Sequence, residues 1–213
     1  MRPAFAAQWT VAVATSVVSA MLGLAAFPAA AAVPDPRFSV YDPVLVGTPS
    51  GTPVLCNFTP GPGYNVTVRD VNNAPIAGSV VTIDFTNAPG LNLFSQQESG
   101  TTLNCAARTI SRVTNGVGRV VFAPRFGGYN NGNVVSVSAD GVFLVLVPAR
   151  SPDVLATGGR ADLPDFAAFA AAYMCATCPQ FDFDNSGGPI GLNDLAIMSK
   201  EYLAFPPIVA YCW

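Results

Sequence analysis

One block of sequence occurs twice in the last third of the chain, and this repeat limits what the region can fold into more than any other feature. The first copy, Asp153 to Tyr173, reads D-V-L-A-T-G-G-R-A-D-L-P-D-F-A-A-F-A-A-A-Y. The second, Asp182 to Tyr202, reads D-F-D-N-S-G-G-P-I-G-L-N-D-L-A-I-M-S-K-E-Y. A constant offset of 29 residues lays Asp153 on Asp182, Thr157 on Ser186, Gly158-Gly159 on Gly187-Gly188, and Leu163 on Leu192. The same offset lays Asp165 on Asp194, Phe169 on Met198 and Tyr173 on Tyr202. Each copy opens with a glycine-punctuated stretch bounded by Asp and closes with apolar residues at helical spacing: Phe166, Phe169, Ala170 and Tyr173, then Leu195, Met198 and Tyr202. The pattern predicts a loop followed by a helix, made twice.

Carboxylates at alternate loop positions point to a hard cation. Calcium takes six to eight oxygens at roughly 2.3–2.6 Å. Asp182, Asp184 and Ser186 can all face inward from one loop, Gly187 permits a sharp turn, and Asp194 can close the shell from the first helical turn. A carboxylate there also suits the positive end of the helix dipole. The first copy offers Asp153, Thr157 and Asp165 but has Leu155 where the second has Asp184, so the second loop carries the fuller ligand set. An alternative reading without metal makes each loop an Asp/Gly-rich turn that caps its helix.

The run D-x-D-x-S-G, then an aliphatic residue, then N-D-L before a short helix ending in Tyr, resembles one half of a dockerin. Dockerins are paired calcium loop-helix modules of secreted bacterial proteins. The resemblance covers about the last 60 residues. It implies calcium in the loops, with the closing Asp in the place where a full EF-hand has Glu, and a cohesin-like or cell-surface protein as partner. Both loops span thirteen positions where the family has twelve, with the doubled glycine as the extra one. Leu163-Pro164 and Leu192-Asn193 stand where cohesin-docking members often carry small polar residues.

Residues 1–32 read as a signal peptide: Arg2 is their only charge, Thr10 to Phe27 is weakly polar to apolar, and Ala30-Ala31-Ala32 offers a cleavage site. An uncleaved leader would instead be a membrane anchor. The expected location is therefore outside a bacterial cell, secreted or at the surface. From Ser151 onward six Asp and one Glu face only Arg160 and Lys200, so the acid is concentrated in the repeat. No basic patch suggests nucleic acid. In an exported chain the five cysteines read first as disulfides. Cys56 and Cys105 form the natural pair. Of Cys175 and Cys178, one, assigned here as Cys178, bonds Cys212 and ties the apolar tail onto the helices, which leaves an odd thiol. The alternative for C-A-T-C is a redox or metal pair.

Residues 33–150 predict a β domain and residues 151–213 the repeat module. Alternating runs at Tyr64–Asp70, Ser79–Thr86, Thr109–Thr114, Gly118–Phe122, Val134–Ala139 and Val142–Val147, with an earlier strand around Val40–Val46, make about seven strands separated by turn signals. Asp140-Gly141 suits a two-residue hairpin. Such a series argues for an antiparallel sandwich. The stretch V-T-V-R-D-V-N-N-A-P-I-A-G-S-V-V-T-I-D-F resembles the opening of a bacterial Ig-like domain of the invasin and intimin type. That resemblance implies an Ig-like β-sandwich serving as spacer or adhesion scaffold. The expected fold is thus mainly β with a small α module.

The chain has no His, which removes Ser-His-Asp and Cys-His catalysis. Asp70, Asp84, Glu98 and Asp140 are glycosidase candidates by residue type alone, and the turn positions of Asp70 and Asp140 give them a backbone role. The functional expectation is a non-catalytic, exported modular protein: an Ig-like scaffold attached to an extracellular assembly or cell surface through a calcium-binding module. The alternative is an accessory component of extracellular polysaccharide breakdown, binding polysaccharide or joining a complex.

Overall fold

The structure is a computed structural model, described over residues 32–47, 63–129, 134–156, 160–203 and 210–212. Residues 1–31, which hold all but the last residue of the expected signal peptide, lie outside the described residues, as do Cys56 and Thr157. Ala32–Trp213 forms one unit. It is mainly β with a small helical part at its C-terminal end.

Among the described residues there are eleven strands: β1 (Val40–Tyr41), β2 (Leu45–Val46), β3 (Tyr64–Thr67), β4 (Val80–Asp84), β5 (Leu91–Leu93), β6 (Thr102–Asn104), β7 (Thr109–Val113), β8 (Arg119–Phe122), β9 (Phe126–Gly128), β10 (Val134–Ala139) and β11 (Val142–Arg150). They form a six-stranded sheet in the order β2-β11-β10-β4-β7-β6, a three-stranded sheet β1-β3-β8, and the pair β5-β9. Period-two alternation explains the layering. In β10, Val135, Val137 and Ala139 are buried while Val134, Ser136 and Ser138 are half-exposed. All three sheets contribute to one core, which includes Tyr64, Val66, Ile83, Leu91, Ile110, Phe122, Phe126 and Val137. Phe85 and Phe126 meet edge to face at 5.3 Å, a favoured aromatic geometry.

The Asp140-Gly141 hairpin joins β10 to β11 with positive φ at both residues (48° and 81°), as a tight primed turn requires. Asp70 serves a turn as expected: its Oδ1 accepts the backbone N–H groups of Asn72 (2.9 Å) and Ala74 (2.8 Å). Three features depart from expectation. The single strand read around Val40–Val46 is two, β1 and β2, which join different sheets. β2 runs parallel to β11, with Ala149 opposite Leu45, so the six-stranded sheet is mixed. β5, β6 and β9 were not read from sequence; each is three residues long, too short to display a period.

The helices are α1 (Leu163–Ala172) and α2 (Leu192–Leu203), preceded in the second copy by a 3-10 turn at Pro179–Phe181. Their first residues are 29 apart, as the repeat requires. α1 buries Asp165, Phe169 and Ala172. α2 buries the equivalent Asp194, Met198 and Glu201. This i, i+4, i+7 face closes on a second core that also holds Val154, Ala161, Phe181, Phe183 and Ile190. Val154 and Phe183 are equivalents, as are Ala161 and Ile190. Ile197 packs on Val44 and Val46 of the β part.

Both expected disulfides are corrected. Cys105 bonds Cys212 (Cα–Cα 5.3 Å), and Cys175 bonds Cys178 (5.7 Å). The reason is the course of the tail. Described residues Ala210–Cys212 lie along the β5 edge: Ser95 N–H donates to the Ala210 carbonyl at 2.8 Å and Cys212 N–H to the Leu93 carbonyl at 2.8 Å. Phe94 stacks on Tyr211 at 4.9 Å. These tail residues are therefore anchored on the β part and not on the helices. Cys175 and Cys178 pair across the turn that follows α1, where Met174 has a φ of 65°.

Candidate metal centre

The second loop brings Asp182, Asp184 and Asp194 together. One carboxylate oxygen from each lies within 4.8 Å of the others, and all three residues are buried. The loop folds around its own carboxylates. Asp182 accepts the N–H groups of Ser186 (2.9 Å) and Gly187 (3.1 Å), and the Ser186 hydroxyl reaches it at 3.3 Å. Asp184 accepts the Ser186 N–H at 3.0 Å and the Asn193 side-chain amide at 3.1 Å. The turn that allows this has positive φ at Asn185 (53°) and Gly187 (69°), a conformation that Asn and Gly tolerate best. Ser186 itself is exposed at the rim.

Asp194 braces the loop from the first turn of α2. Its Oδ1 accepts the N–H groups of Phe183 (2.7 Å) and Asp184 (3.2 Å), and its Oδ2 that of Gly191 (3.0 Å). The repeat reproduces this brace at the same offset. In the first copy Asp165 Oδ1 accepts Leu155 N–H at 2.8 Å and Oδ2 accepts Asp162 N–H at 3.0 Å. Leu155 and Asp162 are the equivalents of Asp184 and Gly191. Ala156 has a φ of 52°, matching 53° at its equivalent Asn185. At these described positions the two copies therefore have matching backbone geometry, although they share few side chains.

Burial sets the charge state of the closing residues. It raises the Asp194 carboxyl above its usual range, against the backbone donors Gly191, Asp184 and Phe183. It also raises Asp165, to about 6, against donation from Leu155 and Asp162. Burial pushes Asp184 up as well, but donors, chiefly Asn193 and Ser186, outweigh it and hold that carboxyl below its usual range. Asp184 is thus poised to be anionic beside two other acidic groups.

The chain matches no protein-family model, no curated protein and no solved structure.

The first loop is assembled differently. Asp153 is fully buried, but it faces the β part: its Oδ2 accepts the Tyr211 hydroxyl at 2.9 Å, and its carbonyl accepts Gly128 N–H at 2.5 Å. Gly127 makes room for it, because a Cβ there would lie 2.3 Å from Asp153 Oδ2. Among the described residues, Asp153 and Asp165 join no group of three carboxylates. Leu155, half exposed, stands where the second loop has Asp184.

The second loop's donor set suits a hard cation. Every converging group is oxygen. One carboxylate oxygen from each of the three residues lies within 4.8 Å of the others, close enough for a single ion to reach all three. A carboxylate has about four acceptor sites, and Asp194 uses three on the loop. Asn193 was named from sequence only as a neighbour of the closing Asp; its hold on Asp184 could have been anticipated from an amide at the start of a helix that follows an acidic loop.

Proposed function

We propose that this chain is an exported, non-catalytic modular protein whose C-terminal repeat is a dockerin-like calcium module and whose β part is an Ig-like scaffold. The observation that carries this reading is the convergence of Asp182, Asp184 and Asp194 in one buried, all-oxygen loop at the start of α2. Asp182 and Asp184 would hold the ion from the loop, Asp194 would hold it from the helix, and Asn193 keeps Asp184 aimed inward. Calcium supplies charge neutralisation, so three buried carboxylates can be anionic together and the loop is stabilised by binding. The second loop is the primary site. The first, whose Asp153 faces the β part and which lacks a counterpart of Asp184, acts as its structural partner.

Attachment follows from placement. The tail disulfide Cys105–Cys212 and the contact of Ile197 with Val44 and Val46 fix the repeat to the β part. A partner that held the repeat would therefore hold the scaffold too. The partner class is a cohesin-like or cell-surface protein. The test is retention of the purified full chain on the surface of the cells that export it, with calcium or with chelator. The expected result is retention in calcium and release by chelator, with the Asp184→Ala variant not retained under either condition. Equal retention in chelator would overturn calcium-dependent attachment.

A further inference from the structure

The Cys175–Cys178 disulfide lies in the segment between α1 and the second loop, and both of its ends are tied to that loop. Cys175 grips the far end: its carbonyl accepts the N–H of Ile190 at 3.1 Å, while Met174 N–H donates to the Ile190 carbonyl at 3.0 Å. Ile190 is buried in the core of the repeat beside Phe169 and Phe183. Cys178 holds the near end. Its carbonyl accepts Phe181 N–H at 3.1 Å and it precedes the Pro179–Phe181 turn, which runs directly into Asp182. The single S–S bond therefore fixes the distance between the residue that leads into the first ligand and the strand-like contact at Ile190, just before Gly191, whose N–H braces Asp194.

The bond is also accessible. Both cysteines are partly exposed. A cavity of about 290 Å³, lined by Thr177, Cys178, Pro179, Asp182, Gly187 and Gly188, opens between the disulfide and the loop. Cys178 and the ligand-loop residues Asp182, Gly187 and Gly188 thus border one open space large enough for a small dithiol reductant. The other disulfide, Cys105–Cys212, spans 107 residues and ties the tail to the β part, away from the loop.

We infer that Cys175–Cys178 is a reducible clasp that sets the calcium affinity of the Asp182, Asp184 and Asp194 site. This rests on the calcium reading of that site. Reduction by an external dithiol transfers two electrons and two protons to the pair: the S–S bond breaks, two thiols form, and the reductant leaves as its own disulfide. The released segment no longer holds Ile190 and Asp182 in register. For a loop this short, the chain-entropy account of a cross-link gives a loss of affinity on the order of tenfold. Linkage requires the reverse effect to be equal, so bound calcium makes the clasp harder to reduce by the same factor.

The test uses the full chain and calcium chloride alone. Calorimetric titration compares the oxidised protein with the Cys175→Ser, Cys178→Ser double variant, both without reductant so that Cys105–Cys212 persists. The expected result is one calcium per chain with about tenfold weaker binding in the variant. Because the variant could be weakened by misfolding, a second measurement is made on the unaltered chain: the reduction midpoint of Cys175–Cys178 in dithiol buffers, read by alkylation and mass spectrometry, with and without calcium. A tenfold linkage lowers the midpoint by about 30 mV in calcium. Intact calcium binding with equal affinities and a calcium-independent midpoint would overturn the clasp and leave the metal site standing. No calcium binding by the oxidised chain would overturn the metal reading, and the clasp with it.

Discussion

Asp194→Ala tests whether the closing carboxylate holds the second loop by itself, before any ion is present. The substitution removes the acceptor for three backbone N–H groups, those of Phe183, Asp184 and Gly191. Phe183 and Asp184 are buried, so water cannot replace the lost partner there, and each stranded donor costs about 1–3 kcal/mol. Gly191 is half exposed and adds little. Against this, burial has raised the pKa of this carboxyl, so removing it offsets part of the cost. The balance is a destabilisation of about 3 kcal/mol, a large share of the 5–15 kcal/mol that holds a typical domain. The assay is urea unfolding of the full chain in chelator, with wild type alongside. In thermal unfolding under the same conditions, the same loss would lower Tm by about 6–12 °C for a chain of this size. Asp165→Ala, which strands only the N–H groups of Leu155 and Asp162, should cost less. A change below about 1 kcal/mol for Asp194→Ala would refute the idea that this carboxylate organises the loop.

Ala156 holds a left-handed φ that its equivalent Asn185 adopts at lower cost; Ala156→Asn should stabilise the chain by about 1 kcal/mol in urea unfolding. Gly127→Ala places a methyl 2.3 Å from Asp153 Oδ2 and should destabilise by about 1–3 kcal/mol, with loss of the Tyr211 hydrogen bond visible by NMR. In chelator, a carboxyl-carbon NMR titration should put the Asp165 midpoint near 6, above the unfolded value of 3.8. The folded chain then holds more protons than the unfolded chain between those values. The contribution of Asp165 to stability is therefore best below pH 3.8, declines as pH rises to about 6, and stays unfavourable above it. Asp165→Asn should flatten that part of the pH profile of unfolding; an unchanged slope would contradict the assignment.

The repeat was legible because its equivalences are chemical as well as numerical. The offset that laid Asp165 on Asp194 also relates their backbone hydrogen bonds and the positive φ values at Ala156 and Asn185. The apolar positions Phe169 and Met198 became equivalent core residues for the same reason. Six strands, β3, β4, β7, β8, β10 and β11, showed through their alternation, while the one strand read around Val40–Val46 is two, β1 and β2. The three short strands did not, and the parallel pairing of β2 with β11 could not, because two residues carry no direction. The disulfides were misread because pairing depends on where the tail runs. Sequence proximity drew Cys212 toward the helices, whereas main-chain pairing along β5 carries it to Cys105. The sequence also makes Asp153 look like the twin of Asp182; only the fold places it against Gly127 and Tyr211.

The central claim is that Asp182, Asp184 and Asp194 form one calcium site, and isothermal titration of the oxidised full chain with calcium chloride tests it most directly. The account predicts one ion bound per chain, lost in Asp182→Ala and in Asp184→Ala, with magnesium binding far more weakly. No binding, or binding that survives both substitutions, would contradict it.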